Sequence, residues 1–268
     1  FENNNFNSFK ELSGFQIFNP TIYKKTNQYT SYLTVFSTFG ILKIDNKKIS
    51  TLNEIFPSSI IQSKFDSTKI LITSDYELFK TNVNDEFKTL EKIYNFDFLP
   101  TIISEKDKNN IWMLNNDTIF LFNTINKTFE YFHKNEELKN LKFTNAIYIE
   151  NQLVFATNKG LYFFNDKTKK FESYQNKELS FLQNKNIIQI EKDDYDKYWA
   201  ITQENDKNNL VFLTKNQNTN NCDTNIFHRI PEFDSFYNDG DSILWIISPN
   251  ALYSFNKKFQ CSKPKIRS

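Results

Sequence analysis

Asn151–Tyr174, NQLVFATNKGLYFFNDKTKKFESY, is the stretch whose reading decides the fold. Leu153–Ala156 is a short apolar run, suited to a strand buried on both faces. Thr157-Asn158-Lys159-Gly160 follows, and Asn and Gly tolerate the positive φ of a tight hairpin turn. Leu161–Phe164 is the second strand signal, and Asn165–Thr168 is a second polar turn. Phe171-Glu172-Ser173-Tyr174 alternates apolar with polar residues, as an outer, half-exposed strand does. Upstream, Ala146–Ile149 supplies one more strand. The unit reads as four antiparallel strands in about forty residues, near the period of a propeller blade.

Looser copies recur along the chain. Val154 lies seven residues before Leu161, and the same offset separates Thr34 from Ile41, Leu71 from Leu78, Trp112 from Ile119 and Trp245 from Leu252. A further copy carries an insertion: Trp199-Ala200-Ile201, a polar loop Gln203–Asn209, then Leu210–Leu213. The anchors Thr34, Leu71, Trp112, Val154, Trp199 and Trp245 are spaced 37, 41, 42, 45 and 46 residues apart. The expected fold is therefore all-β: a β-propeller of four-stranded antiparallel blades, with six repeats plus a partial N-terminal strand, hence six or seven blades.

Composition agrees. Of 268 residues 39% are hydrophobic, in short runs, so a repeated core can be buried and disorder is not expected. No run approaches the roughly eighteen apolar residues of a membrane helix, so no membrane insertion by this segment is expected. A net charge of +1, with both signs interspersed, gives no electrostatic case for nucleic acid. There are only four glycines, and Asn, Asp and Lys stand in for Gly at the turns. Cys222 and Cys261 either pair across adjacent blades in an oxidising compartment or stand apart.

The repeats run at about 15–52, 55–93, 98–132, the reference unit, 186–230, and from Phe233 onward. Short helical turns between blades are allowed at Glu136–Leu141 and Glu178–Leu182. Phe6–Leu12 looks like the outer strand of a blade whose other strands do not precede it. It either completes the final blade, closing the ring, or marks a chain cut from a longer protein. The second is the expectation.

Ile187–Trp199 follows I-x-x-I-x-x-D-x-x-x-x-x-W, Gly160–Asn165 follows G-L-Y-x-F-N, and Phe171–Tyr174 follows F-x-x-Y. In that order they resemble the two-component regulator propeller repeat, over nearly the whole chain. Departures are the missing hairpin Gly in most repeats and the absence of an anchor Trp in repeats one, two and four. Cys261–Ser268, with Pro264 opening an extended segment, resembles the junction to the immunoglobulin-like domain that follows such propellers. The resemblance implies a propeller over 1–258, the C-terminal propeller of a longer protein, with 259–268 starting the next domain. It further implies a membrane helix and a histidine kinase or DNA-binding output beyond Ser268, and a periplasmic location in a Bacteroidetes-like bacterium. Its partners would be the adjacent propeller and immunoglobulin-like domain of the same chain, with a receptor dimer as the assembly.

Trp112, Trp199 and Trp245 hold one place in three blades, and equivalent positions in a repeat serve blade packing before they serve a sugar platform. His133 and His228 have no partner at ligand spacing, so neither a metal nor a cofactor is expected. Asp193-Asp194 and Asp239, Asp241 are acidic pairs at turns, where Asp bonds its own downstream backbone. No catalytic constellation is found. The turns joining second to third strands project on one face and hold Phe39, Tyr76, Asn116, Lys159, Glu204 and Asn250. Variable turns on a constant scaffold make these the ligand-binding candidates. The expectation is a non-catalytic sensing or relaying module, responding to an oligosaccharide or another small ligand. The alternatives are a carbohydrate-active propeller lyase or hydrolase, and a passive protein-docking scaffold.

Overall fold

Short runs of β-branched and aromatic residues, broken by turns of Asn, Asp, Lys and Gly, pair as hairpins rather than close helices. The computed structural model describes the backbone of residues 7–8, 17–24, 31–37, 40–45, 48–115, 118–132, 140–193, 197–215, 222–227, 233, 235–238, 243–248 and 251–256. It describes side chains for 40–43, 50–115, 118–132, 140–193, 197–213, 233, 235–237 and 244–247.

The strands in chain order are β1 (Asn7–Ser8), β2 (Ile17–Lys24), β3 (Ser31–Ser37), β4 (Gly40–Asp45), β5 (Lys48–Asn53), β6 (Pro57–Gln62), β7 (Lys69–Ser74), β8 (Glu77–Asn82), β9 (Glu91–Asn95), β10 (Pro100–Glu105), β11 (Asn110–Asn115), β12 (Thr118–Asn123), β13 (Phe129–Phe132), β14 (Phe143–Ile149), β15 (Gln152–Thr157), β16 (Gly160–Asn165), β17 (Lys170–Ser173), β18 (Asn186–Lys192), β19 (Tyr198–Glu204), β20 (Lys207–Lys215), β21 (Cys222–Phe227), β22 (Ser235–Asn238), β23 (Ile243–Ser248) and β24 (Ala251–Asn256). They pair into four-stranded antiparallel sheets: β2–β5, β6–β9, β10–β13, β14–β17, β18–β21, and β22–β24 with β1 on the outer edge. The architecture is all-β and propeller-like. Against the expected six or seven blades, four, β6 to β21, are described with most of their side chains, and two further four-stranded sheets are described chiefly through backbone pairing. Inner strands neighbour one another in turn: β6 with β10, β10 with β14, β14 with β18, β18 with β22, and β22 with β2.

Two expectations change and one holds. Asn7 and Ser8 pair with Ser254 and Tyr253, so this strand completes the last sheet instead of standing as the remnant of a missing blade. Gln203–Asn209 is not a loop: Gln203 pairs with Asn208 and Glu204 with Lys207, so the insertion lengthens the β19–β20 hairpin. Its two turn residues, Asn205 and Asp206, have φ of 50° and 58°, the left-handed pair that a two-residue hairpin turn needs. Glu178–Leu182 does form short helix, within a 3-10 segment Lys177–Leu182, and a second 3-10 turn occupies Val83–Asp85.

The core lies between blades. Along β15 successive side chains face opposite ways. Val154 and Ala156 pack with Ile187, Ile190 and Ala200 of the following blade, while Leu153 and Phe155 pack with Trp112 and Leu121 of the preceding one. This is why Leu153–Ala156 is apolar throughout. β19 repeats the arrangement, with Tyr198 and Ala200 facing back and Trp199 and Ile201 facing Phe236 and Leu244. Trp112 and Trp199 are 1% and 0% exposed, as blade packing requires. Trp112 meets Phe155, Phe164 and Phe171 of the next blade at ring separations of 5.5, 5.2 and 5.7 Å.

Candidate functional site

The inner strands are bent by design. Several carry a register shift: between Pro57 and Ser59 in β6, Phe143 and Asn145 in β14, and Ile187 and Gln189 in β18. In β10 the shift falls later, between Ile102 and Ser104. A bulge sets two residues against one and re-aims their side chains out of the hairpin. Here they reach the inner strand of the next blade. Ser58 Oγ donates to Pro100 O at 3.3 Å, and Ser59 Oγ accepts the Ile102 N–H at 2.7 Å. Thr144 Oγ1 donates to Ile187 O at 2.9 Å. The Asn145 amide donates to Ile190 O at 2.9 Å and accepts its N–H at 3.2 Å. Gln189 makes the same bidentate contact with Phe236. Across the β10–β14 seam the Tyr148 hydroxyl donates to Glu105 O at 2.8 Å.

These strands enclose a cavity of about 480 Å³ walled by β6, β10, β14, β18 and β22. A second, of about 380 Å³, shares Ile61, Gln62, Ile103, Ala146, Ile147 and Glu191 with it. The second opens where the inner strands end, among Lys64, Glu105, Tyr148 and Lys192. The Glu105 carboxylate is buried and already held: it accepts Ser63 Oγ at 3.0 and 2.8 Å and the Lys64 N–H at 2.9 Å, with Lys69 Nζ at 4.0 Å. With its backbone fixed there, Lys64 carries its ammonium to 3.0 Å from the centroid of the Tyr148 ring. Burial pushes the Lys64 pKa down. Burial, then the charges of Glu105 and Asp107, push the Tyr148 phenol up, so it stays protonated as a donor. Glu191 Oε1 accepts the Gln189 amide at 2.8 Å. The wall thus offers amides, hydroxyls, a phenol, ammoniums and the Glu105 and Glu191 carboxylates. Among the described residues no three His, Cys, Asp or Glu gather to hold a metal ion.

Tyr76, Lys159 and Glu204 sit at the β7–β8, β15–β16 and β19–β20 turns, all solvent-exposed. Those turns lie at the strand ends opposite the Lys64–Tyr148 mouth. Neither cavity is lined by any of the three. Phe39, Asn116 and Asn250 lie outside the described residues, as do His133, His228, Asp194, Asp239, Asp241 and Cys261. Asp193 is buried and accepts the Lys197 N–H at 3.0 Å, the turn role expected of it.

No family model and no curated protein matches the chain. Among solved structures it is similar to the extracellular domain of a protein assigned as a one-component system from B. thetaiotaomicron. That match has 12% identity and a TM-score of 0.62, covering 93% of this chain and 39% of that one. The extracellular domain of a protein assigned as a hybrid two-component system from the same organism matches at 16% identity and a TM-score of 0.54, covering 85% and 32%. A protein assigned as a gluconolactonase matches at 10% identity and a TM-score of 0.63, covering 95% and 92%. At these identities the likeness shows the fold. The chain spans about two fifths and about one third of the two receptor domains. Such domains are the class that the repeat signature resembles. Among the described residues no helix is long and apolar enough to cross a membrane.

Proposed function

We propose that this chain is a non-catalytic, ligand-sensing propeller of a bacterial signal-transduction receptor, with the central channel as its ligand pocket. The observation that carries the reading is the channel wall. The same bulges that line it also clamp three seams, β6 to β10, β14 to β18 and β18 to β22, through Ser59, Asn145 and Gln189. A ligand that shifts those side chains shifts the seams, which is what a sensor needs. Similarity in fold to receptor extracellular domains supports the same reading. We take the ring as six-bladed, since the pairing gives six sheets and the β1–β24 ladder closes the last. The location would be periplasmic, the ligand a short oligosaccharide or similar small molecule, and residues 259–268 the lead into an immunoglobulin-like domain of a dimeric receptor.

The test is a thermal-shift titration with oligosaccharide pools, on wild type and on Gln62→Trp, which places a large side chain in the shared part of the channel. A shift in wild type that Gln62→Trp removes supports the channel. A shift untouched by Gln62→Trp, but lost on changing Tyr76, Lys159 and Glu204, moves the site to the turn face. Turnover of a glycan by the isolated domain replaces the sensor with an enzyme, a reading favoured by the near full-length match to the gluconolactonase-assigned fold. The docking reading rests on Phe56, Tyr76 and Leu99, exposed by 54, 49 and 57% on the turn face, where an adjacent propeller of the same receptor would rest.

A further inference from the structure

We propose that the channel mouth at Lys64 and Tyr148 is an anion-recognition site, taking a negatively charged group on a small hydroxylated body of about one sugar ring. The inference rests on the channel being the ligand pocket and names the chemistry of its occupant.

Lys64 is the starting point. None of the ion pairs among the described residues includes it, while its neighbour Lys69 lies 4.0 Å from Glu105. Its ammonium is 3.0 Å from the centre of the Tyr148 ring. A ring face stabilises a cation without neutralising it, and it covers only one side of the ammonium. The remaining N–H donors stay open to the cavity.

The two carboxylates in the same wall do not fill this role. Glu105 spends its oxygens on Ser63 and on the Lys64 N–H. Those bonds hold the Lys64 backbone while its side chain crosses to the ring of another blade. Glu191 accepts the Gln189 amide. The rest of the mouth suits a hydroxylated ring. Gln62 and Ser104 bring polar groups, and Ile61, Ile103 and Ile147 give an apolar floor for ring C–H groups. A volume of about 380 Å³ is at the small end of pockets that take small molecules.

The experiment compares wild type, Lys64→Gln and Lys64→Arg by calorimetric titration at matched ionic strength. The probes are glucuronate and galacturonate, the neutral sugars glucose and galactose, and inorganic phosphate. The expected result is that at least one uronate binds wild type tenfold or more tightly than its neutral counterpart, that Lys64→Gln removes the preference, and that Lys64→Arg restores it. Phosphate binding as tightly as the uronates, with the same dependence on Lys64, would keep the anion site and overturn the hydroxylated body. Neutral sugars binding as well as the uronates, indifferent to Lys64→Gln but sensitive to Gln62→Trp, would overturn the inference and leave the channel as the pocket. Silence from every probe and every oligosaccharide pool would overturn both.

Discussion

Gln189 grips the backbone of Phe236 with both ends of its amide. Its nitrogen donates to Phe236 O at 2.6 Å, and its oxygen accepts the Phe236 N–H at 3.0 Å. Phe236 is in the next blade, and no strand ladder joins the two blades. One side chain therefore satisfies a donor and an acceptor that the sheets leave unmet. Gln189→Ala strands both, and the expected loss is about 1–3 kcal/mol. Urea unfolding followed by fluorescence should show a lower midpoint with an unchanged slope. An unchanged midpoint would mean that water replaces the amide without cost.

Trp112 joins its own blade to the next through Phe155, Phe164 and Phe171. Trp112→Ala should cost about 3–5 kcal/mol, and Trp112→Phe markedly less, because part of the ring packing survives. The same unfolding assay ranks the two. Equal losses would assign the effect to the indole alone.

Gly160 has a φ of 105°, and a Cβ there would stand 3.0 Å from Asn184 N and 3.2 Å from Leu182 O. Gly160→Ala is expected to cost roughly 1–3 kcal/mol, from backbone strain and the press against the 3-10 segment. The loss should appear as a lower Tm. Lys159→Ala, one residue earlier and exposed, is the control and should leave Tm unchanged.

Acid should expose Asp107. Burial raises its pKa, but the Asn110 amide, the N–H groups of Asn109 and Asn110, and the Lys106 charge outweigh that and hold it below the usual 3.8. A depressed folded pKa stabilises fully above the unfolded value and loses that contribution as pH falls through the folded one. Asp107→Ala should therefore melt lower than wild type at neutral pH, and the gap should narrow as pH drops below 3.8. A gap that is constant down to strong acid would show that the ionised carboxylate adds nothing.

The blades were legible because burial on both faces writes an uninterrupted apolar run, and Val154 and Trp199 recur at a nearly constant spacing. The channel was not legible. Ser59, Asn145 and Gln189 do equivalent work, but the turns between first and second strands differ: residues 63–68, 150–151 and 193–197. The polar position therefore slides against the anchors and shows no period. Lys64 and Tyr148 belong to different blades and meet only because the ring brings their strand ends to one rim. Glu204 illustrates the converse error. A polar run read as a loop is a longer hairpin, because residues clear of the core have no need of apolar side chains.

The ladder between Asn7–Ser8 and Tyr253–Ser254 has a mechanical meaning. The strands are antiparallel, so the chain before Asn7 and the chain after Asn256 leave from the same end of the pair. Tension between those two segments would peel the rungs apart one after another instead of loading them together in shear. The fastening that joins the first and last parts of the chain is thus a zipper with its slider facing the pull, and it yields at far lower force than the same rungs would in parallel.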